Sequence, residues 1–107
     1  MRIPVKPLST NALYRGRKYR TLQYRRYLRD LSLLLPTLQI PDGPLELKVI
    51  FGVSNVRCDT DNLLKSFIDG LMAKYHFDDS RIYSIWARKE IVGKGDEHIE
   101  FDLDRAR

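Results

Sequence analysis

The most restrictive feature of this chain is a run of alternating apolar and polar residues from Leu45 to Val53. Leucine, valine and phenylalanine occupy every second position of the run, and Glu46 and Lys48 stand between them. Successive side chains of a β-strand point to opposite faces, so a period of two places all the apolar residues on one face. The run therefore predicts a strand with one buried face.

Apolar residues recur at three- and four-residue spacing on both sides of that strand. This spacing forms a single apolar stripe along a helix. It predicts a first helix over residues 21–35, a loop rich in Pro and Gly over residues 36–44, and a second helix over residues 60–74 with an aspartate as N-cap. The stripes consist of Tyr24, Tyr27, Leu28, Leu31, Leu34 and Leu35 in the first helix and Leu64, Phe67, Ile68, Leu71 and Tyr75 in the second.

Two more strands are predicted near the end of the chain. Residues 82–92 are rich in β-branched and aromatic side chains, residues 99–103 alternate, and Gly93-Lys94-Gly95-Asp96 stands between them. Turn residues between two strands favour a hairpin, so we expect these strands to pair antiparallel with each other.

The opening residues 2–6 add an edge strand at most, because the prolines in and beside this segment restrict it to the margin of a sheet. The predicted fold is therefore α+β: a small mixed sheet of three to four strands that carries two main helices. One domain is expected to span residues 1–107.

The composition agrees with a globular domain, since 43% of the 107 residues are hydrophobic and 31% are charged. The apolar runs are far shorter than the roughly 18 residues of a membrane span, and the first residues carry no apolar signal core, so we expect neither insertion nor export. Cys58 is the single cysteine, without the partner that a disulfide needs or the spacing of a metal site. A reducing cytoplasm is the expected setting.

Positive charge is concentrated in one segment. The chain has 19 Lys and Arg against 14 Asp and Glu, a net charge of +5, and tyrosines are interleaved with the basic residues after residue 14. Most of these are arginines, whose planar guanidinium can bind phosphate through two parallel hydrogen bonds. We interpret the segment as a nucleic-acid contact, with a solvated helix face as the alternative. Its basic residues are Arg15, Arg17, Lys18, Arg20, Arg25, Arg26 and Arg29.

Two carboxylates and an amine meet where the strand leads into the second helix. Asp59 and Asp61 point to one side of an extended lead-in, and Lys65, four residues after Asp61, falls on the same helix face. Asp78 and Asp79 follow that helix, and a strand paired beside the first brings their loop to the opposite end of the sheet. Whether they approach Asp59 depends on strand order, which residue spacing does not decide.

If these carboxylates approach one another, a cation must neutralise their repulsion, and hard oxygen ligands suit Mg²⁺ or Mn²⁺. Phosphodiester hydrolysis requires a metal-activated water and positive charge near the transition state. The structural alternative makes Asp59 or Asp61 an N-cap and Asp78-Asp79-Ser80 a turn. His76 and His98 are isolated and are interpreted as surface or packing residues.

Three segments carry the signature of a known family. Asp59-Thr60-Asp61-Asn62-Leu63-Leu64-Lys65 reproduces the pattern Asp-x-Asp-Asn-x-x-Lys, and Asp78-Asp79 reproduces the Asp-Asp that follows it. Pro7-Leu8-Ser9-Thr10-Asn11-Ala12-Leu13-Tyr14 reproduces an N-terminal pattern, Pro-x-Ser-x-Asn-x-x-Tyr. Over most of its length the chain thus resembles the RusA-type Holliday-junction resolvases.

The resemblance implies a homodimeric α/β endonuclease that uses Mg²⁺, or Mn²⁺ in its place, to cut branched DNA such as four-way junctions. It implies Asp59, Asp61 and Asp79 as metal ligands, with Asp79 preferred to Asp78, and Lys65 as a catalytic base or charge stabiliser. A DNA-cutting enzyme of this kind is expected in the cytoplasm, associated with the nucleoid.

The resemblance also brings Asn11 into the site, behind the metal ligands. We include Asn11 and Arg57 with the basic segment among the expected DNA-binding residues. Two features depart from the family pattern: Cys58 stands where a basic residue commonly precedes the first aspartate, and the helix exit at residues 74–77 lacks the usual glycine.

Two functions follow from the sequence: a structure-selective endonuclease, or a catalytically silent nucleic-acid-binding module of the same fold. Carboxylates that face a phosphate backbone oppose binding unless a metal bridges them, which favours the endonuclease. A chain of this size has room for one aspartate cluster, so two symmetric cuts predict a two-fold homodimer. Candidates for its interface are Trp86, Phe77, Leu33 and Leu22.

Overall fold

The structure, a computed structural model, describes residues 1–9 and 21–106, together with the backbone of residues 14–15 and 19–20. Its elements follow the chain as β1 (Arg2–Ile3), β2 (Tyr14–Arg15), β3 (Tyr19–Arg20), α1 (Leu22–Leu34), β4 (Leu45–Val53), α2 (Thr60–Tyr75), β5 (Ile82–Ile91) and β6 (His98–Arg105). The described part confirms the α+β prediction, with two helices and one four-stranded mixed sheet, and it adds the small β2–β3 pair.

The main sheet has the strand order β1-β6-β4-β5. β4 lies in its interior, parallel to β5 and antiparallel to β6. The helix α2 is the crossover between the two parallel strands, because two neighbouring parallel strands cannot be joined by a tight turn. This arrangement places the start of α2 and the start of β5 at opposite ends of the sheet.

The predicted hairpin between the last two strands is wrong. β5 and β6 do not pair with each other; they lie on opposite sides of β4. The loop between them crosses the end of β4, where the Val92 N–H donates to the Val53 carbonyl at 2.8 Å. Turn residues indicate that the chain reverses direction, but they do not determine whether a third strand lies between the two strands that they join. Here β4, with its continuous apolar face, fills it.

Both helices cover the apolar face of the sheet. Thr21 caps α1, since its side-chain oxygen accepts a hydrogen bond from the Tyr24 N–H at 3.1 Å, and Tyr24 and Leu31 are buried. Phe67 of α2 packs edge-on against Phe51 and Phe101, with ring centroids 5.9 and 5.4 Å away. The core therefore lies between the sheet and the two helices, as the predicted apolar stripes require, except that Leu34 of the first stripe is 43% exposed.

Two close contacts are possible only because the residue involved is a glycine, which has no Cβ. Gly70 lets α2 approach α1 closely, because a Cβ at this position would collide with the Leu31 side chain. At Gly52 a Cβ would collide with the ring of His98, which is buried on the opposite face of the sheet and confirms a packing role for that histidine. His76 is exposed and ends α2 at a φ of 56°, the conformation that a C-terminal glycine usually adopts. None of the helices described is long and apolar enough to cross a membrane.

Candidate active site

Asp59 occupies the N-cap position of α2 but does not cap the helix. Its side chain makes no capping hydrogen bond to the backbone. The carboxylate is exposed and instead accepts a 3.5 Å hydrogen bond from the Asn62 side-chain amide. The Asp59 backbone carbonyl starts the helix by accepting from the Leu63 N–H at 3.2 Å. The structural alternative, a capping aspartate, therefore does not account for this side chain.

Asp61 and Lys65 lie on the exposed side of the first two turns of α2. Residues four apart share one helix face, and Asp61 in the first turn is also favoured by the positive end of the helix dipole. Leu63 and Phe67 point the other way and are fully buried. The helix packing thus turns the carboxylate and the amine outward, at the same end of the sheet as Asp59.

The loop 54–58, which leads into α2, is anchored by a lysine that the sequence analysis did not identify. Lys89 of β5 donates hydrogen bonds through Nζ to the carbonyls of Val56 at 2.8 Å and Cys58 at 2.6 Å. Lys89 pairs with Phe51, so it occupies a position of β5 that faces the helices. A lysine at such a position within a largely apolar strand is the signal that could have revealed it.

A second brace holds the opposite side of this sheet end. Glu97 accepts hydrogen bonds from the Ser54 hydroxyl at 3.0 Å and from the Gly95 N–H at 2.7 Å. Hydrogen bonds from its own backbone, from Gly95 and from Ser54 lower the pKa of the Glu97 carboxyl, which therefore stays ionised near neutral pH. The loop 54–58 after β4 is thus tied to β5 through Lys89 and to the β5–β6 loop through Glu97.

Asp78 and Asp79 lie at the other end of the sheet. Asp78 caps a 3₁₀ turn, Asp79–Arg81, that leads into β5, and the first residue of β5, Ile82, pairs with Leu45 at the start of β4. The 16 residues of α2 rise about 24 Å between the two ends. As expected for a strand paired beside β4, this loop is on the far side from Asp59. Within residues 1–9 and 21–106, no three carboxylate, histidine or cysteine side chains converge in the way that a metal site requires.

The two adjacent aspartates have different environments. The Asp78 carboxylate accepts a hydrogen bond from the Ser80 N–H at 3.2 Å, which lowers its pKa. A hydrogen bond with Asp78 raises the pKa of Asp79, and the negative charges of Asp78 and Asp69 act in the same direction. Asp78 therefore serves the turn, whereas Asp79 is exposed and its pKa is raised because it shares a hydrogen bond with Asp78.

The predicted DNA-binding arginines whose side chains are described are all exposed to solvent. Arg25, Arg26 and Arg29 are exposed on α1, opposite the side that packs on the core, as the helical spacing predicts. Arg57 is exposed two residues before Asp59, in a turn in which its N–H donates to the Asn55 side chain at 2.9 Å. The remaining predicted DNA-binding residues are Asn11, Arg17 and Lys18, which lie outside the described residues, and Arg15 and Arg20, of which only the backbone is described.

Fold and site together define a class of protein. A small basic α+β domain that presents exposed carboxylates, a lysine and arginines at its surface is equipped to act on a phosphodiester backbone rather than on a small buried substrate. The family model of the endodeoxyribonuclease RusA matches residues 4–101, and the chain belongs to this family of endodeoxyribonucleases. A comparison with curated proteins finds no match.

Proposed function

We propose that this protein is a Mg²⁺-dependent endonuclease that resolves Holliday junctions by paired cuts, with Mn²⁺ as a substitute metal. The observation that carries the proposal is the exposed carboxylate of Asp59, which occupies an N-cap position without capping the helix. Family membership supports the DNA substrate, and chromosomal junctions would place the protein at the nucleoid.

The donor atoms at the start of α2 fit Mg²⁺. This ion prefers oxygen ligands and commonly uses one or two protein carboxylates, with waters and substrate phosphates completing its shell. Asp59 and Asp61 would supply such carboxylates, and both are solvent-exposed, so a phosphate could reach the same ion. When bound, the metal would activate a water and offset the negative charge that develops during hydrolysis.

Asp79 completes this site only if a second chain supplies it. Within one chain, α2 separates Asp79 from Asp59 and Asp61. A two-fold homodimer would resolve this separation if it set Asp79 of the partner subunit beside the first chain's Asp59 and Asp61. Each dimer would then hold two equivalent sites, in keeping with two symmetric cuts in one junction.

Lys65 would act on the reacting phosphate from the helix face that it shares with Asp61. Its exposed ammonium can approach the non-bridging oxygens, where charge increases in the transition state, or a proton-transfer position at the attacking water. Arg57, on the loop before Asp59, can hold a neighbouring phosphate of the same strand.

Incubation of the protein with a synthetic four-way junction, in Mg²⁺ and in EDTA, tests this function. We expect symmetric cleavage in Mg²⁺ and none in EDTA, with binding in both. Binding without cleavage under all metal conditions would identify the protein as a silent junction-binding module instead.

The exposed arginines of α1 are expected to contribute to DNA affinity without reading sequence. Replacing Arg25, Arg26 and Arg29 by Gln should weaken binding to every DNA shape. The slope of log affinity against log salt should fall by up to about one unit for each phosphate that is no longer neutralised. Binding isotherms at several salt concentrations measure this slope. An unchanged slope would mean that this helix face does not meet DNA.

Lys89 is expected to act through the loop that it anchors. Lys89→Met keeps the aliphatic stem but removes both hydrogen bonds to the carbonyls of Val56 and Cys58. The loosened loop should misplace Asp59 and slow single-turnover cleavage by about ten- to a hundredfold, with faster amide exchange over residues 54–58. Lys94→Met, on the exposed β5–β6 loop, is the matched control. If both variants cut equally fast, the anchoring role is wrong.

A further inference from the structure

Val56 is an exposed apolar side chain at the tip of the turn that precedes Asp59. Val56 and Arg57 are the two central residues of the turn 55–58, in which the Cys58 N–H donates to the Asn55 carbonyl at 3.4 Å. The Val56 side chain is 66% exposed. Turns usually carry Gly, Pro, Asn, Asp or Ser at such positions. Neither turn chemistry nor burial in the core therefore accounts for a valine at this tip.

Hydrogen bonds hold the turn from both sides. The Arg57 N–H donates to the Asn55 side chain at 2.9 Å. On the other side, Lys89 donates through Nζ to the carbonyls of Val56 at 2.8 Å and Cys58 at 2.6 Å. Valine is also branched at Cβ, which leaves its side chain few rotamers. Val56 is thus a preorganised apolar projection that loses little conformational entropy when it is bound.

The surroundings of Val56 favour DNA as the molecule that it contacts. Arg57 is exposed beside it on the same turn, and Asp59 follows two residues later. Nine large hydrophobic side chains are exposed in the described part of the chain, and Val56 is the one that lies on the loop leading into α2. A phosphate held by Arg57 during a reaction at Asp59 would bring the adjoining nucleotides to Val56. This step rests on the proposed function.

An apolar side chain can distinguish a branch point from duplex DNA, whereas a basic surface cannot. Phosphates line both kinds of DNA, so cationic side chains bind both. In a duplex, stacked base pairs cover one another's apolar faces, and a side chain that enters between two of them must first unstack them. At a branch point the stack is already interrupted, so the same contact costs less. Val56 would therefore add affinity for junctions in particular.

We propose that Val56 is a specificity-determining residue that contacts the face of a base pair at the branch point of a four-way junction. Arg57 would hold the neighbouring phosphate, so the turn 55–58 would set the branch point at a fixed place relative to Asp59. Every base has a face that can be covered in this way, so the contact recognises DNA shape rather than sequence.

Val56→Thr tests this contact, because threonine keeps the branched shape of valine and replaces one methyl group by a hydroxyl. Binding is measured in EDTA to a four-way junction and to a duplex with the sequence of its arms. The dissociation constant for the junction should rise by at least about fourfold, the effect of one methyl group removed from water. The constant for the duplex should not change. Val56→Ile, which stays apolar, should keep the preference for junctions.

Ile91→Thr is the matched control. It makes the same kind of exchange at a β-branched side chain that is 52% exposed, on the last residue of β5, and should leave both constants unchanged. Circular dichroism confirms that each variant is folded. As a second readout, 2-aminopurine at the branch point should become more fluorescent when the wild type binds, because the base loses a stacked neighbour. Val56→Thr should reduce this rise, and 2-aminopurine in the middle of an arm should not respond.

These measurements need neither metal nor cleavage, so they separate the contact from the nuclease function. A junction preference that depends on Val56 in a protein that never cuts upholds the inference and contradicts the proposed function. Junction cleavage by a protein whose preference is the same in the wild type and in Val56→Thr upholds the function and overturns the inference. A Val56→Thr protein that binds junction and duplex equally more weakly also overturns the inference, and a wild type without any junction preference contradicts both.

Discussion

Asp61→Asn should lower the single-turnover rate of junction cleavage by at least about a hundredfold, the scale of losing one preorganised electrostatic interaction. Asparagine keeps the size of the side chain but removes the negative charge that would hold the metal. Because Asp61 is exposed in the first turn of α2, the substitution should leave the core and the fold unchanged.

DNA binding should survive this substitution and become slightly tighter, since a carboxylate no longer repels the phosphate backbone. Asp102→Asn, an exposed aspartate on β6, is the matched control and should cut at the wild-type rate. An Asp61→Asn protein that cuts as fast as the wild type would remove the metal mechanism from consideration.

Lys65→Ala should slow the chemical step by about a hundredfold while changing junction affinity little. The reason is its position: the ammonium shares a helix face with Asp61 and lies where negative charge develops, so its interaction strengthens in the transition state. Single-turnover rates at saturating enzyme isolate this effect from binding. Lys94→Ala provides the exposed control.

The alternative for Lys65 is an ordinary phosphate contact. In that case the variant would bind junctions more weakly but regain the full rate at saturating enzyme. Rescue by Lys65→Arg would separate the two roles further, since arginine keeps the positive charge but is a poor base.

The helices and strands of this fold were predictable because each is determined mainly by the pattern of apolar residues within its own segment. β4 was predicted from period-two alternation and is observed with the predicted bounds. The predicted helices agree with α1 and α2 to within one residue at each end. In each case a single apolar face, read along consecutive residues, determines both the type of element and the side that packs on the core.

Strand pairing was not predictable in the same way. Residues 82–92 and 99–103 were correctly assigned as strands, but their pairing partner is β4, which comes earlier in the chain. A turn sequence restricts only the residues that it joins. The choice of neighbour depends on the crossover through α2 and on which strand can be covered on one face and flanked on both edges.

The residues of the candidate site also differ in how far their positions could be predicted from the sequence. Asp59, Asp61 and Lys65 fall within seven residues, so helix geometry alone places them together. The distance to Asp79 depends on strand order, and Lys89 reaches the site only because β5 lies parallel to β4. Trp86 is exposed, as a predicted interface candidate should be, whereas Phe77 packs against the core.

The central claim is that two chains build each active site, and complementation tests it most directly. Asp61→Asn and Asp79→Asn proteins should each be inactive alone, because each damages both sites of its own dimer. In a mixed dimer one site carries both substitutions and the other carries neither. Co-expression at equal levels should therefore restore about a quarter of the wild-type sites, as expected for random pairing of two-fold dimers, and the mixed dimer should nick a four-way junction in Mg²⁺. If the co-expressed proteins form mixed dimers but remain as inactive as either variant alone, the shared site is wrong.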